Sequence, residues 1–478
     1  MNKDFKYIPQ SERKKILLIC DDIRVHSGVA TIARELVLNT AQHFNWVNIA
    51  GAVNHPEANK RLDVSADTNK STELEDSSVF LYPTNGYSNP DTLRDIIARE
   101  KPDAIMLITD PRYFEWLFAM EGEIRKQMPI IYLNIWDDLP APMYNKAFYE
   151  SCDALLAISK QTKLINELVL GDKAESRIIE YVPHGLNENM YFPLDDSDPE
   201  FIKFRERVLP QEKDFVLFFN SRNIRRKQIP DTMLAFKHFL DTLPKEKAER
   251  CVFILHTEIV SEHGTNLEVI KNLLFADYPN AIAFSTQKLD QKDLNYLYNL
   301  ADAQILLTSN EGWGLTLTEA MLAGTPIIAN VTGGMQDQMR FVDNQGKWFT
   351  PSPMIPSNHT GKWKSHGKWA FPVYPTNRSI QGSPTTPYIW DDRCRPEDAA
   401  EQIKILYDMG REARKVCGKK GREWALSDEA GFTGRLMSNR AIEAIDTLFD
   451  TWKPRESYEL INANKFKEDT VQHELIYE

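Results

Sequence analysis

The segment at residues 309–330 reads SNEGWGLTLTEAMLAGTPIIAN. The apolar run AQILLTS, at 303–309, leads into it and predicts a buried strand. Residues 315–323 are predicted to form a helix, which Gly324 ends before a proline opens the next apolar run. The segment is therefore predicted to be a strand–loop–helix–strand unit, the repeating unit of a parallel α/β sheet.

The same alternation continues along the rest of the chain. Near-continuous apolar runs predict parallel strands that are buried on both faces, and segments with helical spacing separate them. Other examples of such runs are KILLIC (15–20), PDAIMLI (102–108), PIIYLNI (129–135), DALLAIS (153–159), DFVLFFN (214–220), CVFILH (251–256) and PIIAN (326–330). Helical spacing is clear in ATIARELVLNTAQ (30–42) and EDAAEQIKILYDM (397–409). We therefore expect an α/β protein with doubly wound parallel sheets built from right-handed βαβ units.

The chain is long enough for two domains, because 478 residues exceed what one hydrophobic core usually serves. A polar, acidic stretch at 189–200 separates two series of strands. We predict an N-terminal domain at 1–195, a C-terminal domain at 196–445, and a tail at 446–478 that packs back on the first domain. Ligands of such proteins commonly bind between the domains, beyond the carboxyl ends of the strands.

Composition excludes several classes of protein. Hydrophobic residues make up 42% and charged residues 26%, which excludes a wholly disordered or fibrous chain. No run approaches the ~18 apolar residues that a membrane span requires, and the charged start lacks the apolar core of a signal peptide. The 5 cysteines form no CxxC pair, which argues against a disulfide framework or a zinc site. We therefore expect a cytoplasmic protein, whose net charge of −12 gives no global attraction to nucleic acid.

The loop within 309–330 has the residues of a phosphate and sugar site. Gly312 and Gly314 allow the backbone to approach a ligand where the helix begins and offers unpaired N–H groups. Glu311 is expected at the edge of the cleft and Glu319 about two helical turns further on, and both can accept hydrogen bonds from sugar or ribose hydroxyls. The alternative is an ordinary strand–loop–helix unit whose glutamates are solvated.

A basic loop, SRNIRRKQ at 221–228, follows the first strand of the predicted second domain. Arg222 and Lys227 are five residues apart across a strand-to-helix turn, where two cations can neutralise a diphosphate. Arg225 and Arg226 are expected to face solvent instead. A basic loop of this kind is more often a solvated turn, so the prediction depends on the second phosphate-suited loop in the same domain.

These residues resemble a known family. EGWGLTLTEAMLAGTP is similar to the E-x7-E signature of retaining glycosyltransferases of the group 1 type (family 4), which have the two-Rossmann GT-B fold. Further resemblances follow in order in HSGVATIARELV (26–37), SCDALLAISKQT (151–162), YVPHGLNENMYFP (181–193), NSRNIRRKQ (220–228), TGGMQDQM (332–339) and RPEDAAEQI (395–403). The chain departs from the family at Gln228, where a glycine is expected, and at Trp136–Asp138, where the family often has a histidine. The stretch at 343–390 and the segment GGMQDQMRF (333–341) look most like the phage-borne branch of the family.

The resemblance implies that the second domain, at 196–445, binds a nucleotide-diphosphate sugar, with UDP as the expected nucleotide, and that the first domain, at 1–195, lies on the acceptor side. It also implies sugar transfer with retention at the anomeric carbon. Glu311 and Asp137 would be catalytic, although Asp137 and its neighbour could merely cap the next helix. The residues expected to bind the donor are Arg222, Lys227, Glu319, Gly312, Trp313, Gly314, Leu315, Thr316 and Gly28. Fixed cations and a helix N-terminus can stabilise the departing diphosphate, so no metal or other cofactor is expected.

The proline- and tryptophan-rich stretch at 343–390, which we interpret as an insertion, bears on the acceptor. Its charges sum to +4, and aromatic residues alternate with its cations, which suits a nucleic-acid strand or a carbohydrate. Our leading hypothesis is a hydroxymethylated base in duplex DNA. The alternatives are a glycan or lipid-linked acceptor, a nucleotide-sugar binder or epimerase, and a flap that packs its own aromatic residues. The candidate acceptor residues are Asp110, Asp138, Lys362, Lys364, Lys368, Trp363 and Trp369.

Overall fold

The computed structural model describes residues 5, 7–52, 54–354, 358–359 and 361–456. Within them, two α/β domains face each other across a cleft. Every apolar run named above contains a strand, and the helix predicted at 315–323 is observed with those bounds. The prediction of two doubly wound parallel-sheet domains is therefore confirmed.

The first domain is built on an eight-stranded sheet in the order β3-β4-β2-β1-β5-β6-β7-β8, in which only the β3–β4 pair is antiparallel. Its strands are β1 (Lys14–Asp21), β2 (Phe44–Gly51), β3 (Leu62–Asp63), β4 (Val79–Pro83), β5 (Ala104–Ile108), β6 (Ile130–Asn134), β7 (Ala154–Ala157) and β8 (Ile178–Tyr181). Its helices are α1 (Gly28–Thr40), α2 (Ser65–Thr72), α3 (Pro90–Glu100), α4 (Glu115–Phe118), α5 (Glu121–Ile124), α6 (Lys146–Glu150) and α7 (Lys160–Leu170). The central strands are fully buried because helices cover both faces of the sheet.

The second domain has a six-stranded parallel sheet in the order β11-β10-β9-β12-β13-β14, which is the Rossmann order. Its strands are β9 (Phe215–Asn220), β10 (Cys251–His256), β11 (Ile282–Ser285), β12 (Ala303–Leu306), β13 (Ile327–Asn330) and β14 (Ala370–Val373). The helices that follow the first domain are α8 (Pro199–Val208), α9 (Ile229–Asp241), α10 (Lys245–Ala248), α11 (Leu267–Leu274), α12 (Gln291–Leu300), α13 (Leu315–Ala323), α14 (Met335–Met339), α15 (Pro396–Asp408), α16 (Gly410–Ala425) and α17 (Gly434–Thr451).

The last of these helices, α17, returns to the first domain and packs on α1. The helices approach so closely that a Cβ on Gly434 would lie 2.5 Å from a carboxylate oxygen of Glu35. Asp446 also lies 2.9 Å from the imidazole of His43, at the start of β2. The predicted boundary at residue 445 therefore falls inside a helix of the first domain, and residues 457–478 of the predicted tail lie outside the described residues.

The stretch at 343–390 is not simply an insertion. It contains β14, the sixth strand of the second sheet, whose pairing with β13 begins at Ile327 and Ala370. After β14, the antiparallel strands β15 (Asn377–Ser383) and β16 (Thr386–Arg393) form a hairpin. This hairpin crosses to the first domain, where the Trp390 N–H donates to the Leu139 carbonyl at 2.8 Å.

Candidate functional site

The loop that follows β12 brings the second domain against the first. Gly314, with φ at 92°, is the N-cap of α13, a left-handed conformation that side chains rarely adopt. The Gly312 N–H donates to Oδ1 of Asp137 at 3.0 Å, across the cleft. A Cβ at Gly312 would lie only 2.7 Å from the Ile135 carbonyl oxygen, so this approach of the two domains requires glycine.

Glu311, in the same loop, lies between two cations. Its Oε2 accepts hydrogen bonds from Nη1 of Arg226, at 2.9 Å, and from Nζ of Lys227. Burial opposes ionisation of the Glu311 carboxyl, but the charges of Arg226 and Lys227 outweigh it and lower its pKa to about 2. Glu311 is therefore an ionised hydrogen-bond acceptor at neutral pH.

Asp137 adds a second carboxylate to this cluster from the first domain. Its Oδ2 lies 3.9 Å from Nε of Arg226, and burial raises its pKa above the ordinary value although the Arg226 charge opposes the rise. The cluster therefore joins two carboxyl groups and two basic side chains, Arg226 and Lys227, across the cleft. Such a group can accept hydroxyl hydrogen bonds from a sugar through oxygens on both sides of the cleft.

Glu319 lies further along α13 and is 8% exposed. It accepts a hydrogen bond from the Tyr298 hydroxyl, and Nδ2 of Asn220 lies 3.5 Å from the same oxygen. Burial raises the pKa of Glu319, and the tyrosine hydrogen bonds reduce that rise. Glu319 is held in one orientation and still forms part of the cleft wall.

Arg222 completes the set at the end of β9. Its side chain is exposed in the cleft, and it makes no ion pair or side-chain hydrogen bond within the part of the chain that the structure describes. Lys227, five residues on, is 8% exposed. The intervening loop ends at Gln228, which has a φ of 50° and so takes the left-handed conformation of the glycine it replaces.

A single cleft of about 690 Å³ gathers all the residues predicted to be catalytic or to bind the donor. They are Glu311, Asp137, Arg222, Lys227, Glu319, Gly312, Trp313, Gly314, Leu315, Thr316 and Gly28. The first-domain side carries the start of α1, and the second-domain side carries the ends of β9 and β12 together with the start of α13. The arrangement places cations and a helix N-terminus beside two carboxylates, which suits a ligand with both phosphate and hydroxyl groups.

Residues 200–353 match the family model described as "Glycosyl transferases group 1". Mannosylfructose-phosphate synthase of Agrobacterium fabrum is 24% identical over 39% of this chain and 39% of the relative, and N-acetyl-alpha-D-glucosaminyl L-malate synthase of Bacillus anthracis is 27% identical over 56% and 66%. The chain therefore matches less than two thirds of the length of these curated relatives.

Solved structures extend the similarity to both domains. Alr3699/HepE of Anabaena, in complex with UDP and glucose, superposes with a TM-score of 0.60 at 13% identity, over 91% of this chain and 100% of that one. Sucrose-phosphate synthase of Thermosynechococcus elongatus superposes with a TM-score of 0.61 at 15% identity, over 92% and 100%. The fold is GT-B. Among the described residues of this GT-B chain, no helix is both long and apolar enough to cross a membrane.

One residue of the GT-B cleft was predicted wrongly from sequence. Arg226 was expected to face solvent, but it contacts Glu311 and approaches Asp137. The short 3-10 turn Arg225–Lys227 turns this side chain inward and leaves Arg225 exposed, as expected. His256 also lines the cleft, at the end of β10, and was not among the predicted site residues although its place at the end of a predicted strand was a usable signal.

The two aspartates proposed for the acceptor lie outside this GT-B cleft. Asp138 is completely buried and accepts hydrogen bonds from the Leu139 N–H at 2.7 Å and from the Gln161 amide at 2.6 Å. Burial and the charge of Asp392 raise its pKa well above the ordinary value. Asp110 caps the turn that follows β5 and pairs with Arg112. Complete burial keeps Asp138 from an acceptor, so the predicted contact of that residue is corrected. The predicted contact of Asp110, whose side chain is 25% exposed, stays a prediction.

The predicted acceptor tryptophans are also part of the packing. Trp369 is 5% exposed, stacks on Trp424 with ring centroids 6.1 Å apart, and donates to the Gln338 carbonyl. Trp363 is half-buried against Phe349, at 5.3 Å. The predicted acceptor contact of Trp369 is therefore corrected, because its ring is buried in the protein. The predicted contact of the half-buried Trp363 stays a prediction. The three lysines, Lys362, Lys364 and Lys368, are exposed.

Proposed function

We propose that this protein is a retaining glycosyltransferase that uses a UDP-sugar as its donor. The observation that carries the proposal is the convergence in one cleft of Arg222, Lys227, the start of α13 and the buried carboxylate Glu319. The family match over 200–353 and the neighbour that holds UDP and glucose support the same assignment. The nucleotide would bind to the second domain at the carboxyl ends of its strands, which is where doubly wound sheets bind nucleotides.

In this proposal, each part of the cleft has a separate task. Glu319 accepts hydrogen bonds from the ribose hydroxyls, and Arg222 and Lys227 neutralise the diphosphate. The unpaired N–H groups at the start of α13 add positive potential beside the same phosphates. Glu311 and Asp137 hold the sugar hydroxyls from the two sides, so that its anomeric carbon is presented to the acceptor.

The reaction breaks the bond between the anomeric carbon and the diphosphate oxygen, which leaves with the bonding electrons as UDP, and forms a bond to the acceptor oxygen on the same face of the sugar. The acceptor hydroxyl loses its proton in this step, and the departing UDP oxygen or water takes it up. The negative charge that develops on the departing UDP lies beside the exposed cation Arg222 and the buried cation Lys227, which stabilise it. We propose that these side chains supply the electrostatic stabilisation of UDP that the reaction needs.

For the acceptor, we propose a small polar molecule that carries a phosphate or carboxylate. Two relatives are named for products of this kind, a mannosylfructose phosphate and a glucosaminyl malate. A hydroxymethylated base in duplex DNA is the second candidate, because Lys362, Lys364 and Lys368 form an exposed cationic group. The burial of Trp369 removes that ring from any base stacking, which leaves the lysines and the half-buried Trp363 as its structural support.

The test is UDP release from a panel of UDP-sugars, measured with sugar phosphates, with malate, with hydroxymethylated duplex DNA and without any acceptor. A transferase releases UDP faster when one of these acceptors is present, and Glu311→Gln abolishes that release while the variant stays folded. A binder or an epimerase releases no UDP with any acceptor. Absence of UDP binding by the wild-type protein would refute the proposal.

A further inference from the structure

The end of the hairpin strand β16 lies between the two loops that carry the carboxylates of the cleft. The Trp390 N–H donates to the Leu139 carbonyl at 2.8 Å, two residues after Asp137. The Trp390 carbonyl accepts a hydrogen bond from Nδ2 of Asn310 at 3.3 Å, one residue before Glu311. A single residue of the hairpin therefore contacts the loop of Asp137 in the first domain and the loop of Glu311 in the second.

This end of the hairpin is fixed to the second domain. The Asp392 N–H donates to the Ser309 carbonyl at 2.9 Å, and the Asn330 amide donates to the Asp392 carbonyl at 2.8 Å. The Asp392 carboxylate is completely buried and accepts hydrogen bonds from Arg378, on the other strand of the hairpin, at 2.7 Å and from the Thr332 hydroxyl at 2.9 Å. Hydrogen bonds made away from water are strong, so they hold the strand firmly against the ends of β12 and β13.

Tyr388 attaches the same strand to the first domain. Its hydroxyl donates to the Ala141 carbonyl at 3.1 Å and accepts a hydrogen bond from the Met143 N–H at 3.1 Å. The Tyr144 hydroxyl donates to the Tyr388 carbonyl at 2.8 Å, and the two rings pack edge to face with centroids 4.9 Å apart. All three partners belong to the segment that follows Asp137, so the hairpin holds that segment directly.

The position of the Asp137 carboxylate depends on the distance between the domains. Its Oδ1 accepts a hydrogen bond from the Gly312 N–H at 3.0 Å, and its Oδ2 lies 3.9 Å from Nε of Arg226. Both partners belong to the second domain, although Asp137 is a residue of the first. A group misplaced by about 1 Å can cost a reaction about 100-fold in rate, so an element that sets this distance bears directly on the chemistry.

We propose that the hairpin β15–β16 is a spacer that fixes the separation of Asp137 and Glu311, and that Tyr388 is a positioning residue for glycosyl transfer that acts through Asp137. The inference rests on the proposed function and goes beyond it, because the hairpin lies outside residues 200–353, which match the group 1 family. Tyr388 has no part in holding UDP, since the side chains proposed to bind the nucleotide all belong to the second domain.

The kinetic test compares Tyr388→Phe with the wild type, using the donor and acceptor pair from which the wild type releases UDP fastest. The variant keeps the ring but loses both hydrogen bonds of the hydroxyl. Its kcat is expected to fall about tenfold or more, while the Kd of UDP measured by calorimetry stays within about twofold. Tyr374→Phe is the matched control, because the half-buried Tyr374 donates its hydroxyl to the Trp363 carbonyl at 3.1 Å within the second domain. Its kcat should stay within about twofold of the wild type.

Hydrogen exchange gives a second readout that needs no activity. Exchange at the Gly312 amide, followed by mass spectrometry of peptides that contain it, reports how often its contact with Asp137 opens. Exchange there should be faster in Tyr388→Phe than in the wild type or in Tyr374→Phe. Tyr144→Phe, which removes the hydrogen bond to the Tyr388 carbonyl from the first-domain side, should change both kcat and exchange in the same direction.

An unchanged kcat in Tyr388→Phe, or a parallel loss of kcat and UDP affinity, would overturn the positioning role of Tyr388. An equal loss of kcat in Tyr374→Phe would overturn it as well. Unchanged exchange at Gly312 in both Tyr388→Phe and Tyr144→Phe would overturn the spacer. A wild type that releases no UDP from any pair would instead refute the proposed function, and the exchange measurement would then decide the spacer by itself.

Discussion

Replacing Arg222 with glutamine should weaken UDP binding and leave the stability of the protein unchanged. The Arg222 side chain is exposed and has no partner among the described residues, so its removal changes the free energy of unfolding by no more than about 0.5 kcal/mol. A hydrogen bond between a guanidinium and a phosphate contributes about 1.5–3 kcal/mol. The dissociation constant of UDP should therefore rise about 10- to 150-fold.

The assay is calorimetric titration of UDP into the wild type, Arg222→Gln and the control Arg207→Gln, which changes an exposed arginine of α8, with urea denaturation of all three proteins. Added salt should weaken UDP binding by the wild type more than by Arg222→Gln, because the wild type has one more charge pair to screen. A dissociation constant within twofold of the wild type would refute the assignment of Arg222 to the diphosphate. A parallel loss of stability would indicate a structural role instead.

Three further changes test other parts of the molecule. Glu319→Gln should lower the affinity for UDP about tenfold, while inorganic pyrophosphate, which has no ribose, should bind as before. The measurement is a competition titration. An equal loss of affinity for both ligands would contradict the contact between Glu319 and the ribose. Lys160→Met should lower the free energy of unfolding by about 1–3 kcal/mol, because the Lys160 ammonium donates to the Phe349 carbonyl at 3.1 Å and lies 3.4 Å from the centre of the Trp348 ring. Lys163→Met, in the same helix, is the control. Equal urea midpoints for the two variants would refute the role of Lys160 in joining the domains. Burial raises the pKa of Glu35 from 4.5 to about 7, so between these two pH values the Glu35 carboxyl is protonated in the folded state and ionised in the unfolded chain, and stability falls as the pH rises. Glu35→Gln should therefore reduce the difference in unfolding free energy between about pH 5 and about pH 8 by about 2 kcal/mol. An unchanged dependence of the unfolding free energy on pH would refute the raised pKa of Glu35.

The fold was predictable from sequence wherever a strand is a continuous apolar run. CVFILH is observed as β10 with the predicted bounds, since both faces of a central parallel strand must be apolar. The strand β2 was missed because Asn45 and Asn48 interrupt its apolar residues. Asn48 is nevertheless completely buried, and its amide donates to the Leu18 and Ile49 carbonyls at 3.2 and 3.1 Å. Sequence patterns do not reveal such tertiary hydrogen bonds.

In the candidate site, too, some residues were predictable from sequence and others were not. Motif spacing placed Glu311, Glu319, Arg222 and Lys227 together, because the carboxyl ends of parallel strands meet at one edge of a sheet. The role of Arg226 depends on a single 3-10 turn, and three consecutive cations give no indication of which side chain turns inward. Composition likewise cannot distinguish a tryptophan that faces solvent from one that packs on another ring, which is why the burial of Trp369 was not predicted.

The return of α17 to the first domain determines the order in which the chain can fold during synthesis. The ribosome completes all six strands of the second sheet before it makes this helix, so the second domain can acquire its core while the first still exposes the face of α1 that α17 will cover. A nascent chain that stops after the first sheet carries an uncovered apolar surface, which is the condition that recruits chaperones. The domain that is made first is therefore the one that is finished last.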